Sequence, residues 1–241
     1  MDVVVVSGAS KGLGLGICKR LLASDKYIVV GVSRTLSDEF KNLQSRYQDR
    51  LFYISYDFLN TQGIQSLVKQ ITKEHGAVYA LINNAALGID GVLGTMHERQ
   101  ISDLLKVNVE APILLTKYIS RSMLTKLRGR IINISSIIAS TGFNGLCVYG
   151  ATKSAMQGFT KSLARELGKA NIMVNSISPG YMQTDMTGVL QGDKLESIKR
   201  RSPLKRLANV DDVAAMVLFL LSDDASSITG ANFTVDVGST A

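Results

Sequence analysis

The sequence predicts an α/β fold in which one doubly wound parallel sheet of seven strands carries helices on both faces. Short runs rich in β-branched residues alternate along the whole chain with longer amphipathic stretches, a pattern typical of consecutive strand-helix-strand units. The 241 residues include only 3 prolines and contain no Gly/Ser-rich linker, repeat or low-complexity tract, so we expect a single domain over residues 1–241. Ligands of such sheets bind beyond the carboxyl ends of the strands. We therefore expect functional residues directly after each strand.

The predicted strands and helices account for most of the chain. Strands are expected at residues 3–6, 27–32, 51–55, 78–82, 130–134, 172–177 and 233–235. Helices are expected at residues 13–24, 37–47, 61–74, 98–127, 148–168 and 209–222. Right-handed crossovers between parallel strands then place these helices on both faces of the sheet.

The composition excludes several classes of protein. Hydrophobic residues make up 46% of the chain and charged residues 20%, as in ordinary soluble domains. The longest apolar run, at residues 213–221, has nine residues, about half of what a membrane-spanning helix needs, and no secretory signal is visible. We expect a cytoplasmic protein in which Cys18 and Cys147 stay reduced. With His75 and His97, these cysteines match no metal-ligand spacing.

A glycine-rich turn follows the first strand. Gly8, Gly12 and Gly14 form a Gly-x-x-x-Gly-x-Gly spacing that opens directly into an apolar-periodic helix. Glycines let the backbone approach a pyrophosphate, and the amide groups and dipole at a helix start favour its negative charge. The spacing differs from Gly-x-Gly-x-x-Gly, and the Gly-Lys-Ser/Thr of a P-loop is absent. We interpret the turn as the dinucleotide site of a Rossmann-type fold; the alternative is a plain strand-to-helix connection.

The end of the second strand predicts which dinucleotide is bound. An acid at this point would hold the ribose hydroxyls of NAD, whereas a basic residue accommodates the 2′-phosphate of NADP. The chain places Arg34 there, no acid occurs before Asp38, and Lys11 in the glycine turn offers a second cation. These residues favour NADP(H) over NAD. The alternative is that Arg34 is a solvated charge at a strand end.

Several polar elements lie in a fixed order after the later strands. They are Asn83-Asn84-Ala85-Ala86, Asn108 within the long helix, Ser135-Ser136, and Tyr149-x-x-x-Lys153. With the glycine turn, this ordered set resembles the short-chain dehydrogenase/reductase family over the whole chain. The likeness continues through Pro179, Gly180, Thr184, Thr229, Gly230, Val235 and Asp236.

The spacing of Tyr149 and Lys153 makes chemical sense without the resemblance. Residues four apart on a helix share one face. A lysine cation about 5 Å from a phenol contributes roughly 3 kcal/mol at an effective dielectric near 20, which would lower the tyrosine pKa by about 2 units. Tyr149 would then act as the general acid in carbonyl reduction, and as the base in the reverse reaction. The alternative is that both side chains belong to an amphipathic helix face.

The resemblance implies roles for further residues. Ser136, which lies 13 positions before Tyr149, would hydrogen-bond the substrate oxygen, Lys153 would bind the nicotinamide ribose, and Asn108 would hold a water in a proton relay. A loop region at about residues 180–207 would cover the substrate. The residues implied in cofactor binding are Gly8, Ser10, Lys11, Gly12, Leu13, Gly14, Arg34, Asp57, Asn84, Ala85, Tyr149, Lys153, Pro179, Gly180 and Thr184. Helix-bending or capping roles are the alternatives for Asn108 and Ser136.

The chain departs from the family pattern at two places. Ala86 stands where the family has glycine, so we expect a small local shift beside the cofactor. Leu146, Cys147 and Val148 precede Tyr149 where many acyl reductases carry polar residues, which predicts a more apolar substrate mouth. We interpret Cys147 as buried and inert rather than as a reactive thiol.

Within the family, the likeness is greatest to the 3-oxoacyl carrier-protein reductases of fatty-acid synthesis, in residues 163–166, 178–180 and 184–187. It implies an acyl thioester as substrate and a homotetramer. The alternatives are an NADPH-dependent ketone, sugar or polyketide reductase and, in another class, a cofactor-binding regulator without turnover. Binding to nucleic acid is not expected, since aromatic residues make up 6% of the chain and no tryptophan is present.

The formal net charge of +7 comes from two segments. Residues 117–130 contain five basic residues and no acid, and residues 194–206 contain six basic residues and one acid. We expect the two basic segments to steer an acidic carrier protein or a phosphopantetheine thioester to the substrate mouth, with Arg128 and Arg130 as the test residues. The alternative is a solvated helix face.

Overall fold

The computed structural model describes residues 1–182 and 193–241. The strands in these ranges are β1 (Asp2–Ser7), β2 (Tyr27–Ser33), β3 (Leu51–Ser55), β4 (Val78–Asn83), β5 (Gly129–Ile134), β6 (Ile172–Pro179) and β7 (Asn232–Val235). Within the described ranges, all seven are parallel and form one sheet in the order β3-β2-β1-β4-β5-β6-β7. The predicted α/β fold with a doubly wound parallel sheet is confirmed.

The described residues form eight α-helices. They are α1 (Gly12–Ala23), α2 (Asp38–Arg46), α3 (Ile64–His75), α4 (Glu98–Leu105), α5 (Ala111–Lys126), α6 (Cys147–Leu167), α7 (Asp193–Arg201) and α8 (Val210–Leu221). α7 was not among the predicted helices, since the family resemblance implied a loop region at about residues 180–207.

The single helix predicted at residues 98–127 is wrong in one respect. A π-helical turn at Lys106–Glu110 separates α4 from α5. Pro112, in the first turn of α5, has no amide hydrogen to donate to the carbonyl of Asn108 four residues earlier. A widened turn accommodates this missing bond, and such turns are frequent at functional sites. Pro112 was therefore the sequence signal for the break.

Two apolar layers enclose the sheet. Alternate residues of β1 point to opposite faces: Val4 and Val6 pack with α1, α2 and α8, while Val3 and Val5 pack with α3 and α5. Phe40 and Ile17 are completely buried in the first layer, and Leu115 and Ile119 are at most 1% exposed in the second. Burial on both faces explains the continuous valine run of β1.

The strand register aligns the carboxyl ends of the central strands. Ser7 pairs with Val32 of β2, Asn83 with Asn133, and Ile134 with Ile177. The loops after β1, β4, β5 and β6 therefore leave the sheet at one edge, and this edge carries the residues described next.

Candidate active site

The turn between β1 and α1 is built from glycines with left-handed backbone or very close neighbours. Gly8 has φ of 67° and Gly12 has φ of 51°, in the left-handed region that favours glycine. A Cβ on Gly14 would lie 2.1 Å from the carbonyl oxygen of Gly8. The first turn of α1 can therefore close onto the end of β1 only when Gly14 has no side chain.

Asn84 holds this turn against the end of β4. Its Nδ2 donates to the carbonyl oxygens of Ser7 at 2.9 Å and Gly8 at 3.1 Å. In return, the backbone amides of Asn84 and Ala85 each donate to Ser7 Oγ at 3.0 Å. Ala85 also approaches closely, since a Cβ on Gly8 would lie 2.9 Å from its Cα. Asn84 and Ser7 thus fix the shape of the glycine turn.

The start of α1 fits a bound phosphate group. Lys11, the N-cap residue, makes no side-chain capping hydrogen bond, and the first turn contains no acidic residue. Its unsatisfied amide groups and dipole therefore favour an anion at this end. Ser10 and Leu13 are buried beneath the turn, while Lys11 is exposed. The glycine cradle and the uncapped helix start therefore suit the pyrophosphate of a dinucleotide.

Arg34 follows the end of β2 and is exposed. Its guanidinium makes no hydrogen bond or ion pair with the part of the chain that the structure describes. The nearest acid in sequence, Asp38, pairs with Lys41 at 2.9 Å, which lowers the pKa of Asp38. Asp57, after β3, accepts a hydrogen bond from the amide of Leu59 at 3.0 Å. The exposed cation at this strand end suits a 2′-phosphate.

Ser136 and Tyr149 meet at the carboxyl edge of the sheet. Ser136 follows β5, and its Oγ accepts a hydrogen bond from the amide of Ile138 at 3.2 Å. Tyr149 lies in the first turn of α6. Burial raises the pKa of Tyr149 to about 12, although a hydrogen bond with Ser136 lowers it in part. The two hydroxyl groups that the sequence singled out therefore lie together.

The expected lowering of the Tyr149 pKa is wrong, because burial raises that pKa instead. Lys153 is only 4% exposed, its Nζ donates to the carbonyl oxygen of Ile134 at 2.9 Å, and burial lowers its pKa to about 8. Desolvation, which the spacing of the two residues does not reveal, disfavours the phenolate and the ammonium alike. At neutral pH Tyr149 therefore holds its proton, as a general acid must.

Ser135, the neighbour of Ser136, has a different environment. It is 3% exposed, and its Oγ donates to the carbonyl oxygen of Lys153 at 2.9 Å. Successive residues of an extended chain point to opposite sides. Ser135 therefore holds α6, and Ser136 is the serine available to a substrate.

Asn108 lies in the π-helical turn and is 2% exposed. Its Oδ1 accepts from the amide of Leu87 at 2.7 Å, and its Nδ2 donates to the carbonyl of Leu87 at 2.9 Å and to Thr152 Oγ1 at 3.1 Å. Both amide hydrogens are thus used to join the loop after β4 to α6. The backbone carbonyl of Asn108, which Pro112 cannot bond, is the atom suited to hold a water.

Loops that follow β4, β5 and β6 meet near Tyr149. The amide of Gly91 donates to the carbonyl of Gly145 at 2.9 Å, and the ring centres of Phe143 and Tyr181 lie 6.2 Å apart. Burial raises the pKa of both Tyr149 and Tyr181, and the charge of Asp90 raises both further. Sequence reasoning missed Asp90, Phe143 and Tyr181, because only the fold brings their loops together.

Cys147 corrects another expectation. It was expected to be buried, but it is exposed as the first residue of α6. Cys147 lies where the loop after β5 leads into α6, and residues at such surface connections have few contacts with the core.

Pro179 and Gly180 end β6 beside the same edge. The amide of Gly180 donates to the carbonyl of Val235 at 2.9 Å, and a Cβ on Gly180 would lie 2.8 Å from Cα of Asp236. Thr184 lies outside the described residues, as does part of the loop region at 180–207.

The first basic segment does not form the expected docking surface. Arg130 is 4% exposed and donates to the carbonyls of Gly129 and Ser222, each at 3.3 Å. Arg128 makes two hydrogen bonds of 2.9 Å to Asp2. Both arginines lie at the amino end of the strands, opposite the site, because they precede or begin β5. Since ligands of parallel sheets bind beyond the carboxyl ends of the strands, the position of Arg128 and Arg130 at the amino end of β5 separates them from the substrate mouth.

The second basic segment lies near the site. Ser202 Oγ donates to the carbonyl of Val237 at 2.9 Å, directly after β7, so the carboxyl end of α7 adjoins the carboxyl edge of the sheet. Arg200 and Arg201 are exposed and make no ion pair within the described ranges.

Comparison with known proteins identifies the family. Residues 8–240 match the family model described as enoyl-(acyl carrier protein) reductase. The chain is also 34% identical over 236 residues to the 3-oxoacyl-[acyl-carrier-protein] reductase FabG of Vibrio cholerae, covering 98% of this chain and 96% of that protein. The chain belongs to the short-chain dehydrogenase/reductase family. The FabG reductase of Escherichia coli is 33% identical over 245 residues, with 98% and 96% coverage.

Solved structures share the fold over at least 99% of this chain. A short-chain dehydrogenase/reductase from Serratia marcescens is 29% identical, with a TM-score of 0.91 and coverage of 100% of this chain and 98% of that one. ElxO with NADP bound is 27% identical, with a TM-score of 0.89 and coverage of 99% and 98%. A blue fluorescent protein from a metagenomic library, in complex with NADPH, is 31% identical, with a TM-score of 0.89 and coverage of 100% and 98%.

Two further observations concern ligands and membranes. In residues 1–182 and 193–241, no group of three or more His, Cys, Asp or Glu side chains is arranged to hold a metal ion. None of the helices in those ranges has both the length and the apolar character that a bilayer crossing requires.

Proposed function

We propose that this protein reduces a 3-oxoacyl thioester to the 3-hydroxyacyl thioester with NADPH. The observation that supports this most is the meeting of Ser136 and a protonated Tyr149 beside the buried Lys153. The identity to 3-oxoacyl-[acyl-carrier-protein] reductases over nearly the full chain favours this substrate class among carbonyl compounds.

The proposed mechanism assigns one task to each side chain. When bound, NADPH supplies the hydride that reaches the carbonyl carbon. Tyr149 gives its hydroxyl proton to the carbonyl oxygen as negative charge develops there. Ser136 donates a hydrogen bond to the same oxygen and stabilises that charge. Lys153 binds the nicotinamide ribose, and a water on the Asn108 carbonyl returns a proton towards Tyr149.

The remaining predicted residues would hold the cofactor. Gly8, Gly12 and Gly14 leave room for the pyrophosphate at the start of α1, flanked by Ser10, Lys11 and Leu13. Arg34 would bind the 2′-phosphate of NADP(H) and Asp57 the adenine side of the cofactor. Asn84 and Ala85 would support it beside β4, and Pro179, Gly180 and Thr184 would contact it beyond β6.

A steady-state assay with a small panel tests the reaction. Acetoacetyl thioester with NADPH should give the highest kcat/KM, above crotonyl thioester, simple ketones and sugars. The crotonyl compound tests reduction of a carbon-carbon double bond, which the description of the family model names. Preference for ketones or sugars would favour the alternative ketone, sugar or polyketide reductase. Absence of turnover with all of them, while NADPH still binds, would favour a non-catalytic regulator.

The acyl carrier protein is the proposed partner of the second basic segment. Arg200 and Arg201 lie on α7 near the carboxyl edge of the sheet and present exposed positive charge, which suits an acidic carrier. Reversing both to glutamate should raise KM for the carrier-bound substrate and leave KM for a small thioester unchanged. Reversing Lys19 and Arg20, exposed towards the far end of α1, gives the matched control. Equal effects of the two double variants would contradict carrier docking here.

We also propose a cytoplasmic homotetramer of single-domain subunits that acts in fatty-acid biosynthesis, without binding nucleic acid or membranes. A groove between α4 and α5, lined in part by Ile101, Leu105, Val109 and Ile113, leaves apolar surface for a second copy. Sedimentation as a fully active monomer would contradict the tetramer.

A further inference from the structure

Gln157 lies on α6 and has no task in the mechanism above. It follows Lys153 by one helical turn and Tyr149 by two, so the three side chains share one face of the helix. Its Nε2 donates to Ser135 Oγ at 3.3 Å and to Ser178 Oγ at 3.1 Å. One side-chain amide therefore attaches α6 to the ends of both β5 and β6.

Both serines extend this connection. Ser135 Oγ donates to the carbonyl of Lys153 at 2.9 Å, and Ser178 Oγ donates to Asn232 Oδ1 at 2.9 Å. Each serine hydroxyl accepts a hydrogen bond from Gln157 and donates its own hydrogen to the next acceptor, so both branches run outwards from Gln157. Ser135 is 3% exposed and Ser178 is 1% exposed, which keeps water from replacing either bond.

The network joins the three segments that the reaction requires. Ser135 immediately precedes Ser136, Ser178 immediately precedes Pro179, and the helix carries Tyr149 and Lys153. Hydride transfer is sensitive to placement, since an error of about 1 Å can cost roughly 100-fold in rate. A single amide at the junction therefore influences acid, substrate and cofactor positions together.

We propose that Gln157 is a positioning residue that sets the distance between α6 and the ends of β5 and β6. The inference rests on the proposed reductase function. Gln157 acts neither as an acid nor as a ligand, because its side-chain amide is already hydrogen-bonded to two buried serines. Its effect reaches the reacting atoms only through the segments it holds.

The variant Gln157→Met keeps the length of the side chain and removes the hydrogen bonds. We expect kcat to fall roughly tenfold or more, with KM for NADPH changed less than about twofold. The primary isotope effect with NADPH deuterated at the transferred position should increase, because misplacement slows the hydride step itself. A purely structural role would lower only the fraction of active enzyme, leaving the isotope effect unchanged, and that result would overturn the proposal.

Matched controls separate position from chemistry. Gln70→Met makes the same change on α3, where the exposed side-chain amide donates to Glu74 at 3.1 Å. This variant should leave kcat, KM for NADPH and the isotope effect unchanged. Ser178→Ala cuts one arm of the network, and its effect on kcat should be non-additive with that of Gln157→Met. Additive effects would contradict a shared network. If Gln157→Met fails to fold, Gln157→Asn, which is one methylene too short to reach both serines, replaces it.

A second measurement does not require a substrate. Amide hydrogen exchange at Ser135, bonded to the carbonyl of Ile177 at 2.7 Å, and at Gly180 should become faster in Gln157→Met. Exchange in β1 should not change. If the wild-type protein reduces no carbonyl in the panel, the proposed function fails, while the exchange rates still decide whether Gln157 couples α6 to the strands. Unchanged exchange at both amides would refute that coupling.

Discussion

The Nζ of Lys153 lies 5.6 Å from the centre of the Tyr149 ring, yet its hydrogen bond goes to the carbonyl of Ile134. The lysine is thus fixed by the backbone of β5 before any cofactor arrives. Tyr149, whose pKa burial raises to about 12, holds its proton in the same state. This arrangement suits reduction, which begins with a protonated acid.

Replacing Tyr149 by phenylalanine removes only the acidic hydroxyl. We expect kcat for the acetoacetyl thioester to fall by at least 10²–10⁴-fold, the range typical of a general acid. The Kd for NADPH, measured by fluorescence titration, should change by less than about threefold, because Lys153 and the glycine turn remain. Tyr118→Phe, on the surface of α5, is the control. Unimpaired turnover in Tyr149→Phe would sink the mechanism.

Lys153 is expected to reduce stability at neutral pH. Its pKa is about 8 in the folded protein against the ordinary 10.5, so between these pH values the unfolded chain binds more protons. Stability then rises with pH through that window and is lowest below pH 8. Lys153→Met should therefore raise the free energy of unfolding at pH 7, by up to ~3 kcal/mol, while turnover is lost. Urea unfolding of both proteins at pH 7 and pH 9.5 measures the difference in free energy of unfolding. A difference that is not smaller at pH 9.5 would contradict the destabilising effect of the Lys153 charge.

Arg34→Asp tests the cofactor preference. The substitution replaces an exposed cation at the end of β2 with an acid that favours ribose hydroxyls. We expect KM for NADPH to rise roughly 10- to 100-fold, about 1.4–2.8 kcal/mol, and KM for NADH to fall. Arg46→Asp, exposed on α2, makes the same charge change elsewhere. An unaltered ratio of the two KM values would remove Arg34 from the cofactor site.

Gly14→Ala should be far more damaging than another glycine substitution in a helix. The new methyl group would collide with the backbone carbonyl of Gly8, whereas a Cβ on Gly158 of α6 meets nothing within 4 Å. We expect Gly14→Ala to lower Tm and weaken NADPH binding, and Gly158→Ala to stabilise by ~0.5–1 kcal/mol. Thermal unfolding with and without NADPH compares them. Equal Tm values for the two variants would refute the close approach.

The sequence predicts the fold well because alternation of strands and helices is a local property. Tyr149 and Lys153 follow from their spacing on one helix for the same reason. The pKa values of Tyr149 and Lys153 do not follow from the sequence, because desolvation depends on which atoms cover a side chain. Arg130 shows this too: it begins a predicted strand, but only the packed sheet buries it. Gln157 was missed because its partners lie on two strands distant in sequence.

The paired asparagines of β4 and β5 restrict how this chain could diverge. Asn83 Nδ2 donates to Asn133 Oδ1 at 2.8 Å and to Thr116 at 2.9 Å, and Asn133 Nδ2 donates to Thr160 at 2.8 Å. Both asparagines are at most 5% exposed. Losing one removes a hydrogen-bond partner of the other, which costs about 1–3 kcal/mol for a buried polar group, so we expect single replacements to be selected against. In descendants of this sequence, the two positions should therefore change together or not at all.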